Sequence, residues 1–177
     1  MSETISMNEL NSLSAEDFVR VLGGIFEHSP WVAQGVEKQR PFAGVADLHQ
    51  AMIQCIEQAG QDAQLRLILA HPELAGKAAV RGELTAESSA EQAGAGLDNC
   101  SPEEFAALTA LNQAYREKFG FPFILAVRGY DRTGIIEQFQ RRLGLAPEAE
   151  MAESLAQIYK IGRLRLDGLI PDQGGEA

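Results

Sequence analysis

The 177-residue sequence has few of the residues that build metal centres or disulfide frameworks, and it has no long apolar run. Its two cysteines, Cys55 and Cys100, and its three histidines lie scattered, without the spacing typical of metal ligands. Two cysteines also fall far short of the density of a disulfide-stapled secreted domain. No apolar stretch approaches the roughly 20 residues that a membrane span requires. These absences predict two reduced thiols, no bound metal and no association with a membrane.

Basic charge is also scarce. Fifteen Lys and Arg residues stand against twenty-five Asp and Glu residues, which gives a formal net charge of −10. Such a chain repels a phosphate backbone unless its basic residues form a local stripe, and the sequence contains no such stripe. We therefore expect no nucleic-acid partner. The start of the chain has neither a basic n-region nor an apolar h-region, and its end carries no targeting tripeptide, so we expect a cytoplasmic protein.

The remaining composition is that of an ordinary globular protein, with 45% hydrophobic and 23% charged residues. Apolar residues recur at three- and four-residue steps, and caps and glycines punctuate them, which predicts seven or eight helices. No linker, repeat or low-complexity tract interrupts the chain, so we expect one all-α domain over residues 1–177. The predicted helix starts lie at Ser14, Ser29-Pro30, Asp62, Thr85, Ser101, just after Gly134, and at Pro147, and the predicted ends include Gly60, His71, Gly120 and Gly144.

One segment departs from the helical pattern. The run FPFILAV, from Phe121 to Val127, is apolar and resembles a strand, but the sequence offers no second strand to pair with it.

The stretch from Ala86 to Leu97 is polar on one side of a helical wheel and small on the other. Ala86, Ala90, Ala93 and Leu97 share one face, whereas Ser88, Glu91 and Gln92 gather on the opposite face. The pattern predicts that the alanines pack inward and that the polar face meets solvent, unless a binding site lies nearby.

Two further residues are candidates for chemistry. Arg165 lies on the apolar stripe of the last helix, where its permanent charge must pair with a carboxylate or reach the surface, whereas Arg163 points away from that stripe. His71 is expected at a helix C-terminus, where the helix dipole favours the imidazolium and suits a general acid. From the pattern alone, a structural role for each residue stays open.

Four motifs together closely resemble the OHCU decarboxylase family, whose substrate is 2-oxo-4-hydroxy-4-carboxy-5-ureidoimidazoline (OHCU). They are HPELAGK from His71, SSAEQAGAGL from Ser88, NQAYREKFGFPFILAVRG from Asn112, and IGRLRLDGL from Ile161, and they occur in the family's order and spacing. The resemblance covers nearly the whole chain. The resemblance implies an all-α, cofactor-free carboxy-lyase, commonly a homodimer, that forms (S)-allantoin in urate catabolism within purine metabolism.

Carried over by motif, the resemblance implies catalytic roles for His71, Glu91 and Arg165. It implies contacts between the small-molecule substrate and Pro72, the segment Ser88, Ser89, Ala90, Glu91 and Gln92, and the segment Phe123, Ile124, Leu125, Ala126 and Val127. The second of these segments is expected to act largely through backbone groups. Arg163 departs from the more neutral or acidic residue expected there in the family.

Two alternatives stay open at the level of the sequence. One is a hydrolase of a related ureido compound, with His71 acting as the base toward water. The other is a non-enzymatic helical interaction module, in which Arg165 and Glu91 form an internal ion pair and His71 only ends a helix.

Overall fold

The computed structural model describes residues 4–76 and 82–171. Within these ranges the chain forms nine α-helices and two short 3-10 turns and contains no strand, which confirms the all-α fold class. The helices are α1 (Met7–Ser12), α2 (Ala15–Leu22), α3 (Trp31–Val36), α4 (Val45–Gln58), α5 (Gln61–Leu69), α6 (Ala86–Gly94), α7 (Pro102–Phe119), α8 (Arg132–Leu143) and α9 (Pro147–Leu169). The 3-10 turns are Glu37–Gln39 and Leu97–Asn99.

The chain divides into two compact units, one formed by the residues up to Leu67 together with those from Tyr159 onward, and the other by Ile68–Ile158. In the first unit, α3 packs against α4, and the rings of Phe18 and Phe42 stack with centroids 6.4 Å apart. In the second unit, α7 packs against α8 around a cluster of aromatic rings from Tyr115, Phe119, Phe121, Phe123 and Phe139. One domain over residues 1–177 stays a prediction.

Local capping chemistry explains the helix starts that were predicted correctly. The hydroxyl of Ser14 accepts a hydrogen bond from the Asp17 amide at 3.1 Å, and that of Thr85 accepts one from the Ser88 amide at 3.2 Å. Ser101 and Glu104 form a reciprocal capping box, with bonds of 2.9 and 3.1 Å. Gly120 ends α7 at a φ of 80°, a left-handed conformation that glycine adopts without strain.

Other helix boundaries differ from the prediction. Helix α1 begins at a capping box between Ser6 and Glu9 that the sequence analysis missed, and α2 ends at Leu22, before two consecutive glycines. Ile25 and Phe26 lie beyond the end of this helix and are nevertheless buried. Helix α5 ends at Leu69 rather than His71, and α8 begins at Arg132 because Asp131 caps it.

The second predicted cap, at Ser29, is wrong in detail. Helix α3 begins at Trp31 with Pro30 at the N-cap position, and no side chain caps it. The Ser29 hydroxyl donates instead to the Glu27 carbonyl at 2.7 Å. Among the described helices, none is both long and apolar enough to cross a membrane.

Candidate active site

His71 begins a short loop, residues 71–76, which we call the His71 loop. Its side chain is buried, with the residue 6% exposed, and its backbone amide donates to the Ile68 carbonyl at 3.1 Å. Leu74 and Ala75 are buried as well, and Ala75 adopts a positive φ of 52°. A residue with a side chain rarely holds that conformation unless its surroundings fix it.

Gln92 of α6 is one of the side chains that fix the loop. Its Oε1 accepts from the Ala75 amide at 2.9 Å, and its Nε2 donates to the Glu73 carbonyl at 3.3 Å. Both ends of a single buried amide therefore bind the backbone just after His71.

Helix α7 holds the same loop from a second direction. Asn112 Nδ2 donates to the Leu74 carbonyl at 2.8 Å, and Arg116 Nε donates to the Glu73 carboxylate at 2.8 Å. Asn112 and Arg116 are four residues apart and thus project from neighbouring positions on one helix face. Asn112 lies between the buried residues Leu108 and Tyr115 of α7, and an amide at such a position was the signal available in the sequence.

The predicted orientation of α6 is wrong. Ser88 and Gln92 are buried, at 4% and 5% exposure, whereas Ala86, Ala90 and Ala93 are exposed. The polar face turns inward because Gln92 finds hydrogen-bonding partners in the His71 loop, which offset the cost of burying its amide. Small side chains gain little from burial, so the alanine face loses little by meeting water.

Only part of the polar segment Ser88–Gln92, which the resemblance implies as substrate-binding, therefore faces inward. Ser88 and Gln92 lie on the inward face and Glu91 is half-buried, whereas Ser89 and Ala90 are exposed. Pro72, next to His71, is half-buried.

The segment Phe123–Val127 is buried throughout and has neither helical nor strand structure. Buried backbone groups need partners, and here side chains supply two of them and a backbone amide supplies a third. The Ala126 amide donates to Gln157 Oε1 at 3.0 Å, and the Ile124 carbonyl accepts from Arg142 Nη1. The Val127 carbonyl accepts from the Tyr130 amide at 2.9 Å.

Arg142 belongs to a buried polar cluster that the sequence analysis missed. Its Nε donates to Glu150 Oε1 at 2.6 Å, its Nη2 donates to the Ser154 hydroxyl at 3.2 Å, and Tyr115 donates its hydroxyl hydrogen to Glu150 Oε1. Arg142, Glu150 and Ser154 are all 0% exposed. Burial, followed by the neighbouring Glu150 carboxylate, raises the pKa of Tyr115 far above its usual value, so this phenol stays a donor. In the sequence, Arg142 follows another arginine and resembles part of a solvated helix face.

Arg165 lies in the first unit and pairs with a carboxylate there, which is one of the two outcomes expected for a charge on the apolar stripe. Its Nη2 and Glu27 Oε1 are 2.7 Å apart, and Nη1 donates to the carbonyls of Gly24 and Ile25, each at 3.3 Å. Arg163 points away from the stripe, also as predicted: its side chain is 42% exposed and pairs with Asp167 at 3.0 Å. Glu27 could not be foreseen, because 138 residues separate it from Arg165.

The two cysteines form no disulfide with each other. Burial raises the pKa of the Cys55 thiol, and burial together with the Glu104 carboxylate raises that of Cys100. Both thiols are therefore poorer nucleophiles than an exposed cysteine. No group of three His, Cys, Asp or Glu residues suited to holding a metal occurs in residues 4–76 and 82–171.

The chain is similar in sequence to a known family of proteins. A family model described as OHCU decarboxylase matches residues 11–167. The chain is 38% identical to the 2-oxo-4-hydroxy-4-carboxy-5-ureidoimidazoline decarboxylase of Haloferax volcanii, over 92% of this chain and 94% of that protein. It is 41% identical to the mouse (Mus musculus) protein of the same name, over 94% and 93% of the two chains.

Solved structures have the same fold. A crystal structure of (S)-allantoin synthase superposes with a TM-score of 0.77 at 29% identity, covering 94% of this chain. This chain spans only about half of that longer protein, 54% of its length. A crystal structure of OHCU decarboxylase in the presence of (S)-allantoin superposes with a TM-score of 0.67 at 20% identity and supports the fold alone.

Proposed function

This chain belongs to the OHCU decarboxylase family, and we propose that its own residues carry out the family reaction, the release of carbon dioxide from OHCU to give (S)-allantoin. It is a carboxy-lyase of urate degradation. The observation that supports this assignment best is the buried His71, whose loop is fixed by side chains from α6 and α7 in a chain that matches the family model over residues 11–167.

The substrate's own chemistry limits what the protein must do. OHCU carries a carboxylate and a hydroxyl on one ring carbon, beside a C=N bond. When the bond to the carboxylate breaks, carbon dioxide leaves and the electron pair moves into that C=N system. The nitrogen of that bond takes up a proton, and the hydroxyl loses its hydrogen as its carbon becomes a carbonyl. A proton adds to the neighbouring carbon of the former C=N bond, which becomes the stereocentre, so the net uptake is one proton. The protein therefore needs to orient the carboxylate against the π system and to deliver one proton, so we propose that no cofactor takes part.

We assign the proton to His71. Its burial keeps bulk water from competing for the reacting carbon, and the fixed loop sets the position of the imidazole. A positioned general acid of this kind typically contributes about 10²- to 10⁴-fold in rate. Delivery to one face of the ring would give a single enantiomer, whereas the same intermediate decaying in free solution gives a racemate.

The remaining polar groups bind and orient the substrate in this proposal. Glu91 accepts from the substrate hydroxyl or ureido nitrogens, and Gln92 and Ser88 on the inward face of α6 add polar contacts. Arg165 orients carboxylate or ring oxygens through its guanidinium. Pro72, Ser89 and Ala90 complete the segments expected to line the site.

The segment Phe123–Val127 contributes backbone groups. Hydrogen bonds to its backbone already engage Ile124, Ala126 and Val127, and in the described chain no residue supplies a partner to the N–H or C=O of Leu125. A buried donor and acceptor on one residue suit a ring that carries adjacent N–H and C=O groups.

We further propose that the protein is a cytoplasmic homodimer. Light scattering on the purified protein tests the oligomeric state, and a measured mass of one 19.2 kDa chain would refute the dimer.

The decisive experiment generates OHCU from urate in situ and follows allantoin chirality with and without the protein. Faster formation of (S)-allantoin, with one carbon dioxide released per turnover, is the expected result. Ammonia or a ring-opened acid would instead identify a hydrolase. A racemate formed at the spontaneous rate would favour a non-enzymatic module.

A further inference from the structure

We infer that Gln157 and Arg142 are positioning residues for the reaction, which hold the Phe123–Val127 segment so that the Leu125 backbone faces the substrate. This inference rests on the proposed function. Neither side chain needs to touch the substrate, because each acts through a backbone group of the segment.

The first step of the argument is the spacing of the two contacts. Arg142 binds the carbonyl of Ile124, and Gln157 accepts from the amide of Ala126, two residues further on. These two contacts hold the backbone on either side of Leu125. The N–H and C=O of Leu125 itself have no partner among the described residues, so they are left for the substrate.

The second step is the rigidity of Arg142. Its guanidinium is held by Glu150 and Ser154, and its Cζ lies 4.4 Å from the centroid of the Phe123 ring. That ring in turn stacks on Phe139 at a centroid distance of 3.8 Å. Arg142 therefore fixes the segment at two neighbouring residues, through the ring of Phe123 and through the carbonyl of Ile124.

The third step is that Gln157 is fixed in a similar way. Its Nε2 donates to Glu153 Oε1 at 3.2 Å, one helical turn earlier on α9, which leaves Oε1 directed to the Ala126 amide. Gln157 is 6% exposed, so water does not readily replace the amide as the acceptor. Because a buried amide without an acceptor is costly, loss of Gln157 should shift the segment.

Gln157→Met tests the inference, since methionine has a similar length but cannot accept this bond. We expect KM for OHCU and the Kd for the product (S)-allantoin to rise about three- to tenfold, with kcat changed less than twofold. Hydrogen exchange of the peptide that contains Ala126 should become faster, while peptides from α7 keep the wild-type rate. Gln113→Met, at an exposed glutamine of α7, is the matched control and should alter none of these quantities.

A double variant tests whether the hydrogen bond itself is responsible. Gln157→Glu combined with Glu153→Gln reverses the donor and acceptor on α9 but keeps an acceptor for the Ala126 amide. Its KM should return to within about twofold of wild type. If Gln157→Met does not fold, Gln157→Asn replaces it, because the shorter amide cannot reach Ala126.

The outcomes separate the two proposals. An inactive wild-type protein would refute the function, whatever the variants do. An active wild type whose Gln157→Met variant keeps its KM, product affinity and exchange rates would overturn the positioning role alone. A double variant as impaired as Gln157→Met would also overturn it, because an acceptor for Ala126 would then not be what matters.

Discussion

Arg165 and Glu27 form a buried ion pair, with Nη2 and Oε1 2.7 Å apart and side chains only 5% and 1% exposed. The same guanidinium also binds the carbonyls of Gly24 and Ile25, so residues 24–27 provide three acceptors for one planar group. This fixes the plane of the guanidinium and explains how the apolar stripe of α9 accommodates a permanent charge.

We predict different effects for lysine at the two arginines of α9. Arg165→Lys should lower kcat/KM about ten- to a hundredfold, because an ammonium cannot reproduce the planar fork and a lost charge-assisted hydrogen bond costs about 1.5 to 3 kcal/mol. Arg163→Lys is the control and should be nearly silent, since that side chain is 42% exposed. Equal losses of kcat/KM, or a larger loss at 163, would contradict the assignment of Arg165.

We predict that His71→Ala removes most catalysis and leaves the fold intact. The described backbone contacts of the loop go to residues 73–75 rather than to the imidazole, so the loop keeps these contacts in the variant. Circular dichroism and the chiral allantoin assay on one sample measure both properties. His28→Asn, at an exposed histidine, should leave both unchanged. Fast (S)-allantoin formation by His71→Ala would refute the proton-transfer role.

Activity should survive removal of metals and loss of both thiols. The sequence has no metal-spaced ligand set, and neither cysteine falls in a family motif. We expect exhaustive EDTA treatment and the double variant Cys55→Ser, Cys100→Ser each to retain kcat/KM within about threefold. A rate that falls with EDTA and returns on adding a divalent metal would show that a metal ion takes part.

Two glycines of α9 should respond to alanine in opposite directions. A Cβ added at Gly162 would lie 2.8 Å from the Phe26 ring, whereas one at Gly168 would meet nothing within 4 Å. Gly162→Ala should lower the free energy of unfolding by about 1–3 kcal/mol through overpacking. Gly168→Ala should raise it by about 0.5–1 kcal/mol through helix propensity. Urea denaturation measures both, and a stabilised Gly162→Ala would show that α9 does not pack there as described.

The sequence predicted what depends on neighbouring residues. Helix caps depend on residues within one helical turn, so they can be recognised from spacing alone. The caps predicted in this way are Ser101 with Glu104, Thr85 with Ser88, and Gly120 after Phe119. The sequence also predicted that Arg165 lies on the apolar face of the last helix and Arg163 does not, because both residues belong to one regular helix.

The sequence could not predict features that depend on distant partners. Helix α6 was oriented the wrong way because the partners of Gln92 are 17 and 19 residues away, in a loop whose geometry no local pattern reveals. Arg142 was overlooked for the same reason: only folding brings Glu150, Ser154 and the Ile124 carbonyl around it. Whether a polar side chain is buried depends on the hydrogen-bonding partners that it finds there. Hydrophobic periodicity gives only the average polarity of a helix face.

The outward alanines of α6 make this helix a convenient place for a spectroscopic reporter. Ala93 is exposed and directly follows Gln92, which binds the His71 loop. In a background with serine at positions 55 and 100, a single cysteine introduced at Ala93 would take a spin label or fluorophore on the solvent side of the helix. Changes in the label's mobility or emission on ligand addition would then report movement of α6 without altering its polar face.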